Sequence, residues 1–426
     1  MTLGILFGTM FLAMAIGVPV AWAIGLAGLF ALLNLDMPLI LIPQKMFSGM
    51  DNFPLLCLPF FILAGELMAA GGLTNRLLNF SVNLVGKVRG GLSLANVLAS
   101  MLFGGITGAA TADATALGSV EIPMMVKNGY DKKFSAAITA ASSCIGPIIP
   151  PSLVVIIYVM IVKGTAIGGL FAAGTLPGIL VGLALMLTCY IISVKRNYPK
   201  RENSISLQEF MVSFKDAFLA LLSPIIILGG IIGGFFTATE AAALAVVYAF
   251  VIGFFVYKEI KLKDLPDMFV RAGVITAIVM VIIGTSTTMG IVITFEQTAT
   301  KLGSLIEPLG YIGFLLTVNI VFLIVGMFLD LLPAILIFVP IFEPVATSLG
   351  IHPLHFGMIV IINLVIGLIT PPMGQILFVV SPIADVRFEE LCREIMIFVG
   401  VEVFVLLIVS YTPFFTLYIP GLLGYL

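Results

Sequence analysis

Two aspartates and two proline pairs are the chemically most informative residues in a largely apolar sequence. Asp113 follows a stretch rich in glycine, threonine and alanine, and Asp330 follows Gly326 in the second half of the chain. Further along each half lies a pair of adjacent prolines, Pro150-Pro151 and Pro371-Pro372. Because proline removes an amide donor and clashes with the preceding helical turn, each pair predicts a broken helix with freed carbonyl oxygens.

Breaks of this kind can bind ions. A desolvated alkali cation needs several oxygen ligands, and backbone carbonyls together with serine or threonine hydroxyls supply them without a full charge. The N-terminus of the half-helix beyond a break carries unpaired amides and a partial positive charge, which suit a carboxylate. One break could therefore serve a cation and an anion together. The alternative is that the prolines only kink helices for packing.

Polar side chains near the breaks are candidates for contact with an anionic substrate. Carboxylates inside apolar segments often have functional roles, but those of Asp113 and Asp330 could instead cap the half-helices that follow them. No arginine falls within the predicted core, so helix dipoles and hydroxyls, including that of Thr370, would have to hold the anion. The substrate-contact candidates are Asp113, Ser142, Ser143, Ser152 and Asp330.

The composition indicates the elements that position these residues. The chain has 426 residues, of which 61% are hydrophobic and 10% charged, whereas soluble domains carry about 25% charged residues. Residues 5–33 and 225–257 form apolar runs long enough to cross a bilayer, which takes about 20 residues per helix. The sequence predicts an all-α polytopic membrane protein, with 5–33 as its first membrane helix. The net charge of −2 gives no indication of a nucleic-acid partner.

Grouped basic residues predict the orientation. Cytoplasmic loops carry an excess of lysine and arginine, which places the basic clusters on the cytoplasmic side. Residues 196–220 read as a cytoplasmic connector between two halves, 1–195 and 221–426, with a surface amphipathic helix over 207–218. The clusters are Arg76, Lys87 and Arg89; Lys127, Lys132 and Lys133; Lys195, Arg196, Lys200 and Arg201; Lys258, Lys261, Lys263 and Arg271; and Arg387 and Arg393.

The two halves resemble each other. Asp113 and Asp330 are 217 positions apart, as are Pro123 and Pro340, whereas the proline pairs are 221 apart. The change of four positions is expected to be a loop insertion. The loop at 127–133 is basic and its counterpart at 350–353 has no lysine or arginine, so the units have opposite predicted orientations. Inverted repeats of this kind are typical of secondary transporters.

Each repeat contains two backbone interruptions. A turn inside apolar sequence predicts a re-entrant hairpin, which enters and leaves the membrane on one side, and the proline pair predicts a broken helix. The first repeat has hairpin 1 at about 95–126 and broken helix 1 at about 134–160. The second repeat has hairpin 2 at about 313–348 and broken helix 2 at about 355–382.

Several motifs resemble the large membrane subunit of TRAP (tripartite ATP-independent periplasmic) transporters. The resemblance runs nearly end to end and comes from independent segments, which makes it specific. The segments are FSGMDNFPLL at 47–56, PFFILAGE at 59–66, TGAATAD at 107–113, GPIIPPS at 146–152, TATEAA at 237–242 and TPPMG at 370–374.

This resemblance implies an elevator-type transporter that uses a sodium gradient. A fixed scaffold domain would support a moving transport domain that holds both hairpins and both broken helices. By similarity, sodium site 1 would involve Thr107, Ala109, Gly146, Ile149 and Pro151, largely through backbone oxygens. Sodium site 2 would involve Gly326, Gly367, Thr370 and Met373.

The resemblance also implies partners and a location. The chain would lie in a bacterial inner membrane and work with a small membrane subunit, expected as a separate chain, and a periplasmic substrate-binding protein. The cargo would be a small organic anion, with a sialic acid as one candidate. A stand-alone sodium–dicarboxylate symporter is the first alternative. An integral-membrane enzyme is the second, although the sequence shows none of the usual catalytic motifs.

Overall fold

The computed structural model describes residues 2–86, 88–200 and 207–426, and this described part is helical without strands. The basic residues Lys87 and Arg201 and the connector segment 201–206 lie outside the described residues. The helices are α1 Thr2–Ala15, α2 Val20–Asn34, α3 Leu41–Met50, α4 Cys57–Ala70, α5 Leu73–Val85, α6 Gly91–Thr107, α7 Ala110–Lys127, α8 Lys132–Ser143, α9 Leu153–Ile161, α10 Ile167–Lys195, α11 Leu207–Ile232, α12 Ala238–Val251, α13 Leu265–Phe295, α14 Thr298–Ile306, α15 Gly310–Phe328, α16 Leu331–Ser348, α17 Pro353–Gly367, α18 Gln375–Ala384, α19 Phe388–Tyr411 and α20 Phe414–Leu422.

The protein is an all-α polytopic membrane protein. Among the described residues, seven helices are long and apolar enough to cross a membrane, and α19 and α20 form an eighth span if that bent pair is counted as one. Many large apolar side chains on the outer helices are exposed, for example Leu183 on α10 and Phe269 on α13. Exposure of these side chains to lipid is favourable, because lipid tails are themselves apolar, whereas their exposure to water would be unfavourable.

Two apolar runs that the sequence predicts as continuous are in fact divided. The run 5–33 forms α1 and α2, which pack against each other, with a turn at Gly17 (φ +86°) and Pro19 just before α2. The run 225–257 is divided between α11 and α12 by a turn at 233–237. Apolar content predicts that a segment enters the membrane, but a turn-forming glycine and a proline decide where its helix ends.

The turn before α12 ends in a capping box. The Thr237 hydroxyl accepts a hydrogen bond from the Glu240 amide, and the Glu240 carboxylate accepts one from the Thr237 amide at 2.8 Å. A helix begins at Leu207, as the sequence predicts, but its predicted end at Phe218 is wrong, because α11 continues to Ile232. Phe210 and Phe214 in the first turns of α11 pack against Phe80 of α5.

We divide the helices into two groups, which also contact each other through α5 and α6 and through α13, α14 and α16. We call α1–α5 with α11–α14 the framework group, in which α4 packs on α12, α5 on α11, and α2 and α3 on α13. We call α6–α10 with α15–α20 the inner group, which contains all four backbone interruptions. The two repeats interlock in the inner group, because α9 of the first packs against α16 and α18 of the second packs against α7.

The structure corrects the repeat register. Ala109 precedes α7 and Asp330 precedes α16, and these positions are 221 apart. The same separation relates the ends of these helices, Lys127 and Ser348, and both proline pairs. The pairing of Asp113 with Asp330 at 217 is therefore wrong, and so is the predicted insertion. Pro123 of α7 corresponds to Pro344 of α16 rather than to Pro340.

Ion pairs join several basic segments to acidic residues near α18 and α19. These contacts bring the N-terminus of α8 and the C-terminus of α10 to the same end of the inner group as the turn between α18 and α19. The pairs are Lys132–Asp385 at 3.1 Å, Lys133–Glu390 at 3.3 Å and Arg196–Glu394 at 2.6 Å. That this end faces the cytoplasm stays a prediction.

The contact between α9 and α17 offers a direct stability test of the interlocked repeats. Tyr158 is fully buried, donates a hydrogen bond to the Pro353 carbonyl oxygen at 2.9 Å, and lies against Gly357. A Cβ added at Gly357 would lie 2.7 Å from the Tyr158 ring. We expect Gly357→Ala to destabilise the protein by about 1–3 kcal/mol through overpacking, measured as a lower thermal unfolding midpoint in detergent.

Gly400→Ala is the matched control for that variant. Gly400 also lies within a helix of the inner group, but an added Cβ would meet open space. Alanine favours a helix over glycine by about 0.5–1 kcal/mol, so Gly400→Ala should unfold at the wild-type temperature or slightly above. Equal unfolding temperatures for the two variants would contradict the close packing of α9 on α17.

Candidate functional site

The first hairpin turn meets the first proline break through glycine. The turn between α6 and α7 passes through Gly108, whose φ of +61° is the left-handed conformation that favours glycine. A Cβ added at Gly108 would lie 2.5 Å from the Pro151 carbonyl oxygen, and one added at Gly104 would lie 2.7 Å from the Gly146 Cα. The structure thus brings together the backbones around Thr107, Gly146 and Pro151, three of the residues predicted for sodium site 1.

The other two residues predicted for site 1 have different surroundings. Ala109 has an extended backbone, precedes α7, and lines a cleft described below. The Ile149 side chain lies against Gly178 of α10. Only its backbone oxygen is therefore available to a ligand at the break.

Asp113 lies beside this contact between the hairpin turn and the break. Its side chain is buried, and its Oδ1 accepts a hydrogen bond from the Thr107 hydroxyl. Its Oδ2 has no hydrogen-bond partner in the described part of the chain, and a Cβ on Gly104 would lie 3.6 Å from it. Asp113 belongs to the first turns of α7 but does not cap the helix, because Ala109 holds the N-cap position.

A second glycine contact joins the other repeat. A Cβ added at Gly326 of α15 would lie 2.9 Å from the Leu364 carbonyl oxygen and 3.2 Å from the Gly367 Cα. The two helices therefore approach at backbone distance, and Gly326 and Gly367, both predicted for sodium site 2, lie together. The Pro371-Pro372 peptide bond that follows is cis, as is Pro150-Pro151.

The remaining candidates of the second repeat are arranged differently. The Thr370 hydroxyl donates to the Ile366 carbonyl oxygen at 2.7 Å, so its oxygen keeps lone pairs for a further partner. Met373 is 45% exposed and does not pack into the contact. Asp330 caps α16 by accepting a hydrogen bond from the Leu331 amide at 2.8 Å.

The donor set of both junctions suits an alkali cation. Carbonyl, hydroxyl and carboxylate oxygens are hard ligands of the kind that Group 1 and Group 2 cations prefer over transition metals. No cluster of three or more histidine, cysteine, aspartate or glutamate side chains occurs within the described ranges. The orphaned Oδ2 of Asp113 fits such an ion at site 1, because a buried carboxylate is stable in its charged form only when it is paired.

The three candidate serines have separate roles. Ser142 is buried, donates to the Asn96 side-chain oxygen at 2.7 Å and accepts from the Ser100 hydroxyl at 2.9 Å, and Asn96 in turn donates to the Glu121 carboxylate. Ser143 donates within its own helix, to the Ala140 carbonyl oxygen at 2.7 Å. Of these three serines, Ser152, next to the first break, is the one whose buried hydroxyl oxygen has no hydrogen-bond partner among the described residues.

A cleft of about 500 Å³ lies between the first hairpin turn and α4 and α13 of the framework group. The N-terminal turn of α7 lines one wall, and its first amides have no side-chain cap at Ala109. Helix N-termini of this kind attract anions. The polar and aromatic residues of the lining are Phe61, Glu66, Phe103, Thr107, Thr111 and Thr115.

Sequence reasoning did not identify most of this lining. The spacing of Thr111 and Thr115 could have done so, because residues four apart on a helix share a face. Nothing in the sequence placed Glu66 beside the first hairpin. Glu66 belongs to α4, whereas the hairpin is formed by α6 and α7, and the sequence does not show that these helices meet. Ser142 and Ser143 are absent from the lining.

Comparisons with known proteins agree on a family. The family described as "Tripartite ATP-independent periplasmic transporter, DctM component" matches residues 7–415. The chain is 40% identical to the sialic acid TRAP transporter large permease protein SiaM of Vibrio cholerae, covering 99% of each chain. It is 40% identical to the C4-dicarboxylate TRAP transporter large permease protein DctM of Pseudomonas aeruginosa, covering 89% of each.

A solved structure supports the fold alone. The transporter MtrF of Neisseria gonorrhoeae, from a class described as antimetabolite efflux pumps, superposes with a TM-score of 0.63. The alignment covers 91% of this chain and 85% of MtrF at 13% sequence identity. At that identity the likeness concerns the arrangement of helices and carries no information on substrate.

The adjacent serines Ser142 and Ser143 allow a test of structural against substrate-contacting roles. Ser142→Ala removes the donor to Asn96 and leaves the Ser100 hydroxyl without its acceptor, which should cost about 1–3 kcal/mol. Ser143→Ala removes only a bond within its own helix and should change stability little. Thermal unfolding of the two purified variants measures the difference. If Ser142→Ala unfolds at the wild-type temperature but abolishes activity, the substrate-contact prediction is favoured instead.

Proposed function

The chain belongs to the DctM component family of tripartite ATP-independent periplasmic transporters, and we propose that it imports a small organic acid by sodium-coupled alternating access. It is a transporter permease and a multi-pass protein of the bacterial inner membrane. The observation that carries the sodium proposal is the buried, unpartnered Oδ2 of Asp113 where the hairpin turn contacts the proline break.

The charge of Asp113 explains why a cation should bind there. An ionised carboxylate in an apolar, water-poor interior is strongly disfavoured unless it is paired. The Thr107 hydroxyl partners only one of its oxygens. A sodium ion held by Oδ2 and by backbone carbonyls around Gly146 and Pro151 would neutralise the carboxylate. Asp113 then serves as a cation ligand rather than as a substrate contact.

Site 2 would hold a second sodium ion without a carboxylate. Its candidates, Gly326, Gly367, Thr370 and Met373, would contribute backbone oxygens and the Thr370 hydroxyl. The second repeat has Ala334 at the position of Asp113, because the repeat register is 221. We therefore expect site 1 to bind sodium more tightly than site 2, since a full negative charge contributes more than carbonyl dipoles.

The substrate would occupy the cleft beside the first hairpin turn. Its carboxylate would meet the first amides of α7 and the hydroxyls of Thr111 and Thr115. The cargoes named for the relatives, a sialic acid and C4-dicarboxylates, suggest a small organic acid, of which sialic acid is one candidate. Asp330 and Ser152 remain candidates for substrate contact, although neither residue lines the cleft.

The family implies two protein partners. We propose that a small membrane subunit and a periplasmic substrate-binding protein complete the system. In an elevator mechanism the inner group would move against the framework group and carry both breaks across the membrane. The contacts of α4 with α6 and of α13 with α16 would then change during transport, whereas those between α9 and α16 would persist.

Uptake into proteoliposomes tests this proposal. The chain is reconstituted with its small subunit, and radiolabelled sialic acid or succinate is supplied with the cognate binding protein. An inward sodium gradient is compared with an equal potassium gradient, and the binding protein is omitted in parallel. We expect uptake to require both sodium and the binding protein. Sodium-driven uptake without the binding protein would favour a stand-alone carrier, and no sodium response with either acid would overturn the coupling.

Asp113→Asn tests the cation ligand. Loss of a full charge at a cation site removes on the order of a few kcal/mol, so the sodium concentration for half-maximal uptake should rise at least about tenfold. The measurement is the initial uptake rate as a function of sodium concentration. Thermal unfolding in potassium buffer checks that the variant is folded.

Glu121→Gln is the matched control. Glu121 lies on the same helix and is equally buried, but it is eight residues away, about 12 Å along the helix. Its carboxylate accepts a hydrogen bond from Asn96, an acceptor role that glutamine retains. We expect an unchanged sodium dependence. A similar rise for both variants, or none for Asp113→Asn, would contradict a direct role of Asp113 at the cation.

A further inference from the structure

An ion pair stands at the framework side of the cleft. Arg271 of α13 donates from Nε to the Glu66 Oε2 of α4 at 2.9 Å. Glu66 lines the cleft, and so does Ile275, one turn along α13 from Arg271. Glu66 therefore shares the cleft with Thr111 and Thr115 of α7, and Arg271 is joined to the cleft lining through its contact with Glu66.

The guanidinium of Arg271 retains binding capacity. Only its Nε makes a hydrogen bond with the described residues, which leaves both Nη groups as donors for another partner. Its side chain is 54% exposed, whereas that of Glu66 is 27% exposed. Arginine presents its donors as a planar fork that matches a carboxylate with two parallel hydrogen bonds.

The ion pair lies between the cleft and the predicted cytoplasmic side of the membrane. Arg271 follows the basic segment Lys258–Lys263 by two helical turns, and that segment is predicted to be cytoplasmic. Glu66 lies in the last turns of α4, and Glu259 of the basic segment reaches back to Arg76 in the following helix, α5. The pair is thus at the end of the cleft nearest the predicted cytoplasmic loops.

We propose that Arg271 receives the carboxylate of the departing substrate, and that Glu66 is the internal carboxylate which the substrate displaces. This inference rests on the proposed function. With the cleft empty, Glu66 holds the guanidinium at the rim. When the substrate leaves the N-terminus of α7, its carboxylate replaces that of Glu66 on the Arg271 guanidinium. The Glu66 carboxylate then binds Arg271 again as the acid departs into the cytoplasm.

The energetics of a partly exposed ion pair permit this exchange. Such pairs contribute only about 0–1 kcal/mol, because water screens them and two side chains must be ordered. Replacement of one carboxylate by another conserves the charge and the hydrogen-bond type, so it costs little in either direction. An arginine without a competing carboxylate would hold the acid more tightly and slow its release.

A purely structural role makes a different prediction. The pair also connects α4 to α13, which already pack on each other. If it served only to hold these helices, removal of either partner would have the same effect. In the exchange, Arg271 binds the substrate and Glu66 competes with it, so neutralisation of the two partners must have opposite effects on substrate binding.

The test measures substrate affinity on the cytoplasmic side. Proteoliposomes with a uniform orientation are loaded with increasing concentrations of unlabelled sialic acid or succinate, whichever the wild type transports, and exchange of the labelled acid is followed. We expect Arg271→Gln to raise the half-saturating concentration on the cytoplasmic side about tenfold and Glu66→Gln to lower it. Arg271→Lys, which keeps the charge without the fork, should fall between the wild type and Arg271→Gln.

Arg76→Gln and Glu259→Gln provide the matched control. That pair is also partly exposed, at 24% for Arg76 and 41% for Glu259, and its 2.7 Å contact also joins an arginine and a glutamate, but neither residue lines the cleft. We expect both control variants to keep the wild-type half-saturating concentration.

The outcomes separate the two proposals. A wild-type protein that exchanges neither acid would overturn the proposed function, and this inference with it. A wild type that exchanges the acid while Arg271→Gln and Glu66→Gln shift the affinity in the same direction, or not at all, would overturn the exchange role and leave the proposed function intact. Arg271→Lys supports the comparison if Arg271→Gln fails to fold.

Discussion

The need to satisfy backbone polar groups inside an apolar environment controls most of this structure. A helix that ends within the membrane leaves amides and carbonyls without partners, and each costs several kcal/mol in lipid. Here the ends lie in the inner group, where the turn at Gly108 touches the break at Pro151 and Gly326 touches Gly367. Glycine allows these contacts, because any side chain would separate the backbones whose free oxygens can share a cation.

The two junctions are related by the repeat but are not chemically equal. The first contains a buried carboxylate, that of Asp113, and the corresponding position of the second is Ala334. The cleft described above lies beside the first hairpin turn, where the N-terminal turn of α7 and Glu66 of the framework group both line it and Arg271 contacts Glu66. Inverted repeats thus supply two similar junctions, and under the proposed function the differences between them would decide where the anion binds.

The sequence predicted the fold better than the site. Paired prolines at a constant separation reveal both breaks, because proline acts locally whatever surrounds it. Apolar content alone did not reveal the turns at Gly17 and at 233–237, which divide two apparently continuous helices. The match between Asp113 and Asp330 was misleading, because identical residue types recur by chance where few polar residues exist. Ser142 was a candidate for substrate contact, and the sequence could not show its partners Asn96 and Ser100, which come from another helix. Glu66 and Arg271 meet across 205 positions for the same reason.

Sodium binding by the purified protein is the most direct test that the two junctions are cation sites. The thermal unfolding midpoint is measured without substrate, in sodium chloride and in potassium chloride of equal ionic strength. A ligand that binds only the folded state stabilises it in proportion to the logarithm of its concentration above Kd. The account predicts that sodium, but not potassium, raises the midpoint with this concentration dependence. Identical midpoints in the two salts at every concentration would contradict it.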